Sequence, residues 1–594
     1  MAKFAHRVAV DFEFESRPGE RPAVVCCAYK IDDEPVVALW HDQLGALPPY
    51  PIGDDTVVVS FTQAEWSCHL ALGWPLPANV IDLNCDLRYL TSGRKTPFGQ
   101  GLVGFCRQLG VDVGDAVAKE AMQAIFIRGA PYSPDEKRRG MKYCGDDTDA
   151  TARMFDRVEP LFSYPHALHR GEWSKTSAEM EHVGVPINGE RFRKVSDPAT
   201  WSRLRDALVP ELDKAGIYVL HNDGTYHFSF DNLGDFLKAH GIPWVLTKEG
   251  RLSTTDKVFE DMTKGHPVLE SLRQLRHIRD KMRTIDLAVG GDNRNRTVLW
   301  PFKAKTGRTQ PAASKWSFSP AVWIRNLIEP GEGMAIAYVD YSSMEFLIAA
   351  AISGDPLMMK FYMSGDPYLS FPKHVGLVPT WATKTTHGEL RDRYKVGLLA
   401  IQYGAWVTTL AAKLGVTEVE AHEMIRQHRQ LFSTYWRWTE DWLSYSLDNG
   451  YMRSCVDWRC AVGEVELRTR SIINWPVQSI GGDILRMTCI WAAKKGLRLC
   501  APVHDAILVE APLDRIDRDV ALLQDIMTRA SRVVLGGPTL RTDAQVIRHP
   551  DHYSDKRGDE IWAIVTRFLE EDENDRAEPH EDDAGGDRGV GRRD

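Results

Sequence analysis

Two apolar, strand-like runs far apart in the chain each lead to an aspartate. Met334 to Val339 precedes Asp340, and Ala501-Pro502-Val503 precedes His504 and Asp505, after which Ile507-Leu508-Val509 continues like the return strand of a hairpin. One fold element split by a helical insertion brings the two aspartates together, and the helical, aromatic-rich residues 361–454 are that insertion. Inside it stand Arg391 and Lys395, four residues apart and therefore on one helix face. Two carboxylates at strand ends can hold a pair of divalent cations, and an Arg–Lys face can grip a polyphosphate. Together these are the requirements of nucleotidyl transfer. Either aspartate alone reads as a turn residue; the phosphate grip between them makes the pair specific. Leu399 and Tyr403 continue the Arg–Lys face, where a merely solvated stripe would carry polar residues, and Gly404 permits close approach by a backbone or a base.

The chain has 594 residues, too many for one core, so roughly three or four domains are expected. No apolar run approaches the ~20 residues of a membrane span, and the N-terminus has no signal-peptide layout. Ten cysteines without a C-x-x-C pair read as reduced thiols of a cytosolic protein. The net charge of −9 is concentrated at the end: residues 570–594 hold eleven acids against four arginines, leaving about −2 for the body. That tail, poor in apolar residues, reads as disordered. The body can still carry a basic cleft, because binding follows where charge lies rather than its sum.

Along the chain, residues 1–165 alternate strand and helix as in a compact α/β domain, with strands near Val8 to Glu13, Pro22 to Tyr29 and Thr56 to Phe61. A helix covers Asp146 to Val158. Residues 166–295 read as mainly helical, interrupted by a loop-rich insert from Tyr218 to Phe230. Residues 296–360 open with strands and pass into a helix after Asp340. Residues 455–569 return to strands and helices.

Four motifs in order resemble family A DNA polymerases, the DNA polymerase I type. Asp340-Tyr341-Ser342-Ser343-Met344-Glu345 is similar to that family's Asp-Tyr-Ser-x-x-Glu, and Arg391, Lys395, Leu399 and Tyr403-Gly404 follow its finger helix. Arg470, Asn474, Pro476, Gln478, Ser479 and Asp483 resemble a third motif, and Val503-His504-Asp505-Ala506 a fourth. The resemblance covers residues 5 to 565. It implies a ribonuclease H-like 3′–5′ exonuclease domain (1–165) followed by a right-hand polymerase: thumb and connecting region (166–295), palm (296–360 and 455–569) and fingers (361–454), with the acidic tail (570–594) outside. It implies Asp340 and Asp505 as metal ligands for two Mg2+ ions, with Mn2+ as a substitute. Arg391 and Lys395 would hold the triphosphate, with Lys395 placed to protonate pyrophosphate. Glu345 would block a ribose 2′-hydroxyl, with Tyr403 closing the same wall. Arg470, Asn474 and Gln478 would meet the primer–template, His504 the primer terminus, and Arg308, in Thr306-Gly307-Arg308, the template. Tyr368 stands where a His often meets the phosphates. Two departures matter: Leu399 replaces an aromatic ring, and Ala506 replaces an accessory Glu.

In the N-terminal half, Asp11-x-Glu13 on a strand puts both carboxylates on one face. Tyr143-x-x-x-Asp147 begins a helical stretch. The resemblance implies a second two-metal site here from Asp11, Glu13, Asp147 and Glu65, the last standing where the family has Asp, with Tyr143 orienting the attacking water. The alternatives are a degenerate, non-catalytic exonuclease domain, a single-subunit RNA polymerase and a non-catalytic DNA-binding scaffold; Glu345 argues against the RNA polymerase. The resemblance also implies a monomer acting on primer–template DNA and dNTPs with replication accessory proteins. It is expected to lack the family's 5′-nuclease domain, to resemble bacteriophage replicative enzymes and to work in the (host) cytoplasm, away from membranes.

Overall fold

The Val-rich runs near the N-terminus pair into a five-stranded sheet. Central β1 (His6–Glu15) is antiparallel to β2 (Ala23–Ile31) and parallel to β4 (Thr56–Ser60), while β3 (Val37–Trp40) and β5 (Asn79–Asp82) form the edges. Period-two alternation along β1 sends Val8, Val10 and Phe12 into a core with Trp66 and Trp74, leaving Asp11 and Glu13 on the other face. The helix Pro134–Val158 packs on β1 and β2. A reciprocal cap starts it: Glu136 N–H donates to Ser133 Oγ (3.2 Å) and Ser133 N–H to the Glu136 carboxylate (2.8 Å). The computed structural model describes residues 4–113, 116–280, 282, 285–319, 321–463 and 469–577. Among these, no helix is long and apolar enough to cross a membrane.

The second sheet is antiparallel throughout, in the order Arg498–Val503, Ala506–Pro512, Met334–Tyr341, Thr542–Arg548. Its central strand buries Ala335, Ala337, Val339 and Tyr341. The Tyr341 hydroxyl lies 2.7 Å from Thr488 Oγ1 and donates to the Met527 carbonyl (3.1 Å), tying the strand to helices Thr469–Lys494 and Ile516–Leu535. Tyr338 and Asp340 face the opposite side. The helices from Met344–Ser353 to Ser433–Asn449 lie, in sequence, between the central strand and its hairpin partner, so the split element expected from the sequence is formed.

Three expectations change. Residues 296–333 hold 3-10 turns and isolated bridges rather than strands among the described residues. The Tyr218–Phe230 insert is a hairpin, Tyr218–Leu220 with Tyr226–Phe228, stabilised by the edge-on Tyr218–Phe228 ring pair (5.5 Å). The acidic tail does not begin at 570, because the helix Asp559–Ala577 runs through it. Its buried Ile561, Trp562, Val565 and Leu569 anchor it, and Asp572 pairs with Arg203 at 2.6 Å. The remainder of the tail, 578–594, lies outside the described residues. Further back, the basic residues on and near helix Glu270–Asp280 are ion-paired: Arg273 with Glu270 (2.5 Å), Arg276 with Asp256 (3.6 Å) and Arg279 with Asp206 (2.7 Å).

The two units are locked together at α2 (Leu83–Leu90). The Tyr89 hydroxyl donates to Asp457 (2.5 Å), and its ring meets the guanidinium groups of Arg170 (4.3 Å) and Arg459 (5.1 Å).

His428 is fully buried among Phe371, Phe432, Tyr435 and Trp436, and its Nδ1 accepts from Trp436 Nε1 (3.0 Å). Burial pushes its pKa down from 6.5 to about 3. The unfolded chain therefore binds a proton there that the folded chain refuses. Stability should be complete above pH 6.5 and fall by ~1.4 kcal/mol per pH unit as pH drops toward about 3. Denaturant unfolding of wild type and His428→Phe across this window checks it: the wild-type curve should be the steeper, and parallel curves would remove His428 as the cause.

Candidate active sites

Asp340 is the penultimate residue of the strand Met334–Tyr341. Asp505 sits with His504 in the two-residue turn joining Arg498–Val503 to Ala506–Pro512, and His504 takes φ +56° to make it. Tyr341 N–H donates to the Asp505 carbonyl (3.1 Å), which fixes the turn against the end of the Asp340 strand. Burial raises the pKa of Asp340 to about 6, with the charges of Asp505 and Asp543 adding to it. Burial likewise raises Asp505, against the opposing pull of His504, Arg308 and Lys395. His504 is lowered by burial, while the Asp505 charge partly restores it. Neighbouring carboxylates whose charges raise the Asp340 pKa would be relieved by a cation among them.

The helix Gly388–Gln402 buries Gly397, Leu398, Ala400, Ile401 and Gln402. The face with Arg391, Lys395 and Leu399 is left less covered, and Tyr403 follows at the helix end. Lys395 is exposed, and its charge acts on both aspartates. Arg391 is held by Asp366 (2.9 Å) and Asp392 (2.8 Å) over the ring of Tyr368 (5.3 Å). Tyr368 itself is only 2% exposed, so the structure places it beneath Arg391 rather than at the open surface. Leu399 packs against the main core.

Glu345 opens the helix Met344–Ser353, after Ser343 in the left-handed region (φ +53°) turns the chain from strand to helix. Gln402 Nε2 donates to the Glu345 carbonyl (3.3 Å), which ties this turn to the Arg391 helix. Burial and then the neighbouring Glu345 charge push the Tyr403 phenol well above its usual range. Glu345 and Tyr403 are thus adjacent.

Arg470, Asn474 and Gln478 follow at four-residue spacing on one side of Thr469–Lys494. Arg308 Nε donates to the Gln478 carbonyl (2.9 Å). Gly482 leaves room for Arg308: a Cβ there would lie 3.2 Å from Arg308 Cγ. Together with His504, Arg325 and Arg486, Arg308 lines a cavity of about 430 Å³.

One carboxylate at this site was missed from sequence. Asp543 is the cross-strand partner of Asp340 on Thr542–Arg548, opposite Ala506 on the other neighbouring strand. Its Oδ2 accepts from Ser342 Oγ (2.6 Å). The only signal was an acid in a short alternating run near the C-terminus, and register is not readable from that.

In the N-terminal unit, ligand oxygens of Asp11, Glu13 and Asp147 all lie within 4.8 Å of one another. Burial raises Glu13 well above the carboxylate range, with Asp11, Cys26, Asp147 and Glu65 adding to it. Glu65 lies in the first turn of α1 (Ala64–Ala71), where it is buried and accepts from Thr62 Oγ1 (3.3 Å). Its pKa is also raised, by burial and then by Asp11. Glu65 borders the trio without belonging to the tight cluster. Tyr143, one turn before Asp147, is raised by burial and by Asp147, Glu13 and Asp11, so its phenol faces the same acids. Asp82 is spent locally: it accepts from Ser174 Oγ (2.6 Å) and Cys85 N–H (3.0 Å) as the cap of α2.

The chain is 25% identical over 456 residues to the thermostable DNA polymerase I of Thermus aquaticus, covering 70% of this chain and 53% of that protein. It is 24% identical to DNA polymerase I of Chloroflexus aurantiacus, covering 44% of it, so it spans about half the length of these bacterial relatives. With the DNA polymerase of Mycobacterium phage D29 it shares 23% identity over 496 residues, 76% of each chain. Its fold is similar to the POL domain of Pol1 from M. smegmatis, solved in complex with DNA primer-template and dNTP, with a TM-score of 0.65 at 20% identity over 91% of this chain and 95% of that one. The model of DNA polymerase family A matches residues 225–546, more than half of the sequence; the chain belongs to DNA polymerase family A.

Proposed function

We propose that this chain is a template-directed DNA polymerase that extends a primer with dNTPs and carries a 3′–5′ proofreading exonuclease. The carrying observation is the placement of Asp505 beside Asp340, fixed by the Tyr341–Asp505 backbone bond, with the Lys395 charge acting on both. The mutually repelling, oxygen-only ligands suit a hard divalent cation such as Mg2+. Bound there, the ions would supply activation of the primer 3′-hydroxyl and neutralisation of the leaving pyrophosphate. The chain's own residues do the rest. Arg391, preset by Asp366, and exposed Lys395 grip the triphosphate, and Lys395 stands ready to give the pyrophosphate a proton. Glu345 and Tyr403 wall off the sugar's 2′ position. Arg308, Arg470, Asn474, Gln478 and His504 hold the primer–template.

On this reading residues 1–165 form the exonuclease, 166–295 the thumb, 296–360 and 455–569 the palm, and 361–454 the fingers. Asp11, Glu13 and Asp147 would hold the exonuclease ions, Glu65 would contribute from the rim, and Tyr143 would orient the water. The equal coverage shared with the mycobacteriophage enzyme supports a role in phage genome replication.

Primer extension with dNTPs against NTPs tests the reading. Wild type should prefer dNTPs, and Glu345→Ala should shift that preference toward NTPs by about two orders of magnitude, ~2.7 kcal/mol of discrimination. Equal use of both nucleotides by wild type would remove the DNA assignment.

A further inference from the structure

Arg541 stands immediately before the strand Thr542–Arg548, outside the four motifs that mark the polymerase half. Its main chain holds the turn that follows Asp340: Ser342 N–H donates to the Arg541 carbonyl (2.9 Å). Its side chain reaches the loop between helices Pro356–Met363 and Pro367–His374. There Nη1 donates to the Tyr362 carbonyl (3.0 Å) and Nη2 to the Gly365 carbonyl. The guanidinium also lies 4.3 Å from the Tyr362 ring centroid. The hydroxyl of buried Tyr362 closes the arrangement, accepting from Arg541 N–H (2.9 Å) and donating to the Ser342 carbonyl (3.3 Å). Gly365 turns the loop at φ +115°, a conformation that glycine adopts without strain. The next residue is Asp366. One of its carboxylate oxygens caps helix Pro367–His374, accepting from Tyr368 N–H (3.0 Å), and the other accepts from Arg391 Nε (2.9 Å).

We propose that Arg541 is a positioning residue for the triphosphate of the incoming nucleotide: it holds the Gly365–Asp366 loop and, through Asp366, fixes Arg391. The proposal rests on the polymerase reading above. A loose arginine loses rotamer freedom when it grips a phosphate, and that loss weakens binding. Arg391 is already ordered, with its Nε on Asp366 and its guanidinium over the Tyr368 ring (5.3 Å). Asp366 can order it only if the Asp366 loop is itself held. Two charge-assisted bonds from Arg541 to the loop carbonyls hold it. The same residue carries the Ser342 turn, so one side chain and its own backbone join the end of the Asp340 strand to the phosphate grip. In-line transfer needs the separation of those two ends kept constant.

The test uses the full chain and a primer whose last linkages are phosphorothioate, so that it is not degraded. Arg541 is exposed, and alanine there keeps the main-chain bond to Ser342. Arg541→Ala should raise the KM for dNTP about tenfold, equivalent to about 1.4 kcal/mol, with kcat and primer–template affinity unchanged. The KM for pyrophosphate in the reverse reaction should rise by the same factor, because its phosphates meet the same Arg391. The preference for dNTP over NTP, which lies with Glu345 and Tyr403, should not move. Asp366→Asn keeps the helix cap and removes the charge beside Arg391. It should raise the KM alike, and adding Arg541→Ala to it should raise the KM no further. Equilibrium binding of dNTP to a complex with a 3′-dideoxy-terminated primer should show the same loss without turnover. An unchanged or lowered KM in Arg541→Ala, additive effects in the double variant, or a sugar preference that shifts with the KM would overturn the assignment. The two readings fail separately. Wild type that extends primers while Arg541→Ala binds dNTP normally removes the Arg541 role alone. Binding of dNTP that depends on Arg541 in a wild-type protein unable to extend primers removes the polymerase reading alone. A wild type that binds no dNTP removes both.

Discussion

Asp340→Asn and Asp505→Asn should each lower primer extension at least about a thousandfold, about 4 kcal/mol of barrier, in a single-turnover assay with Mg2+ and dNTPs. Asparagine keeps the size of the side chain and removes the charge, so loss of metal ligation is separated from loss of shape. The structure also fixes the sign of the stability change. Burial and two neighbouring carboxylates push Asp340 up to about 6, so its charge is held against repulsion in the folded protein. Removing that charge relieves the repulsion, and the thermal midpoint without metal should stay level or rise. An enzyme that unfolds earlier and loses activity in proportion would show a structural role instead. Asp505 should behave alike, because its pKa is raised in the same direction. Retained extension in both variants would place the chemistry elsewhere in the chain.

The second large effect concerns the N-terminal acids. Asp11→Ala combined with Glu13→Ala should abolish 3′–5′ degradation of a labelled primer, by at least about a thousandfold, and leave extension by the same preparation intact. Both carboxylates belong to the cluster within 4.8 Å and stand on β1, in the first sheet. Glu65→Gln should cost less than the double change, because Glu65 stands at the rim of the cluster. If the double variant degrades primers like wild type, the N-terminal unit is not a nuclease. The polymerase assignment would be untouched by that result, since the two sites lie on separate sheets.

Much of the site was readable because its parts are local. Asp11 and Glu13 share a face because strand side chains alternate. Arg391, Lys395 and Leu399 share one because helix side chains return every four residues. The aspartate at position 505 was legible as a turn because two apolar runs of strand length flank it. Other parts were not readable. Tyr368 looked like a phosphate contact from its place in the chain, but the ring is buried under Arg391, and burial depends on residues distant in sequence. The acidic run after 569 reads as a solvated tail from composition, but the helix anchored by Ile561, Trp562, Val565 and Leu569 continues into it, and Arg203, far upstream, pairs with Asp572.

The sequence by itself therefore determined the chemistry. It supplied which side chains are acids, cations and walls, and their order within single strands and helices, since those relations follow from backbone periodicity alone. Only the tertiary structure decided which of them meet. Asp543 stands opposite Asp340 and Glu65 stops at the rim of its cluster because strand register and helix packing are set by contacts summed over the whole fold, which no local spacing encodes.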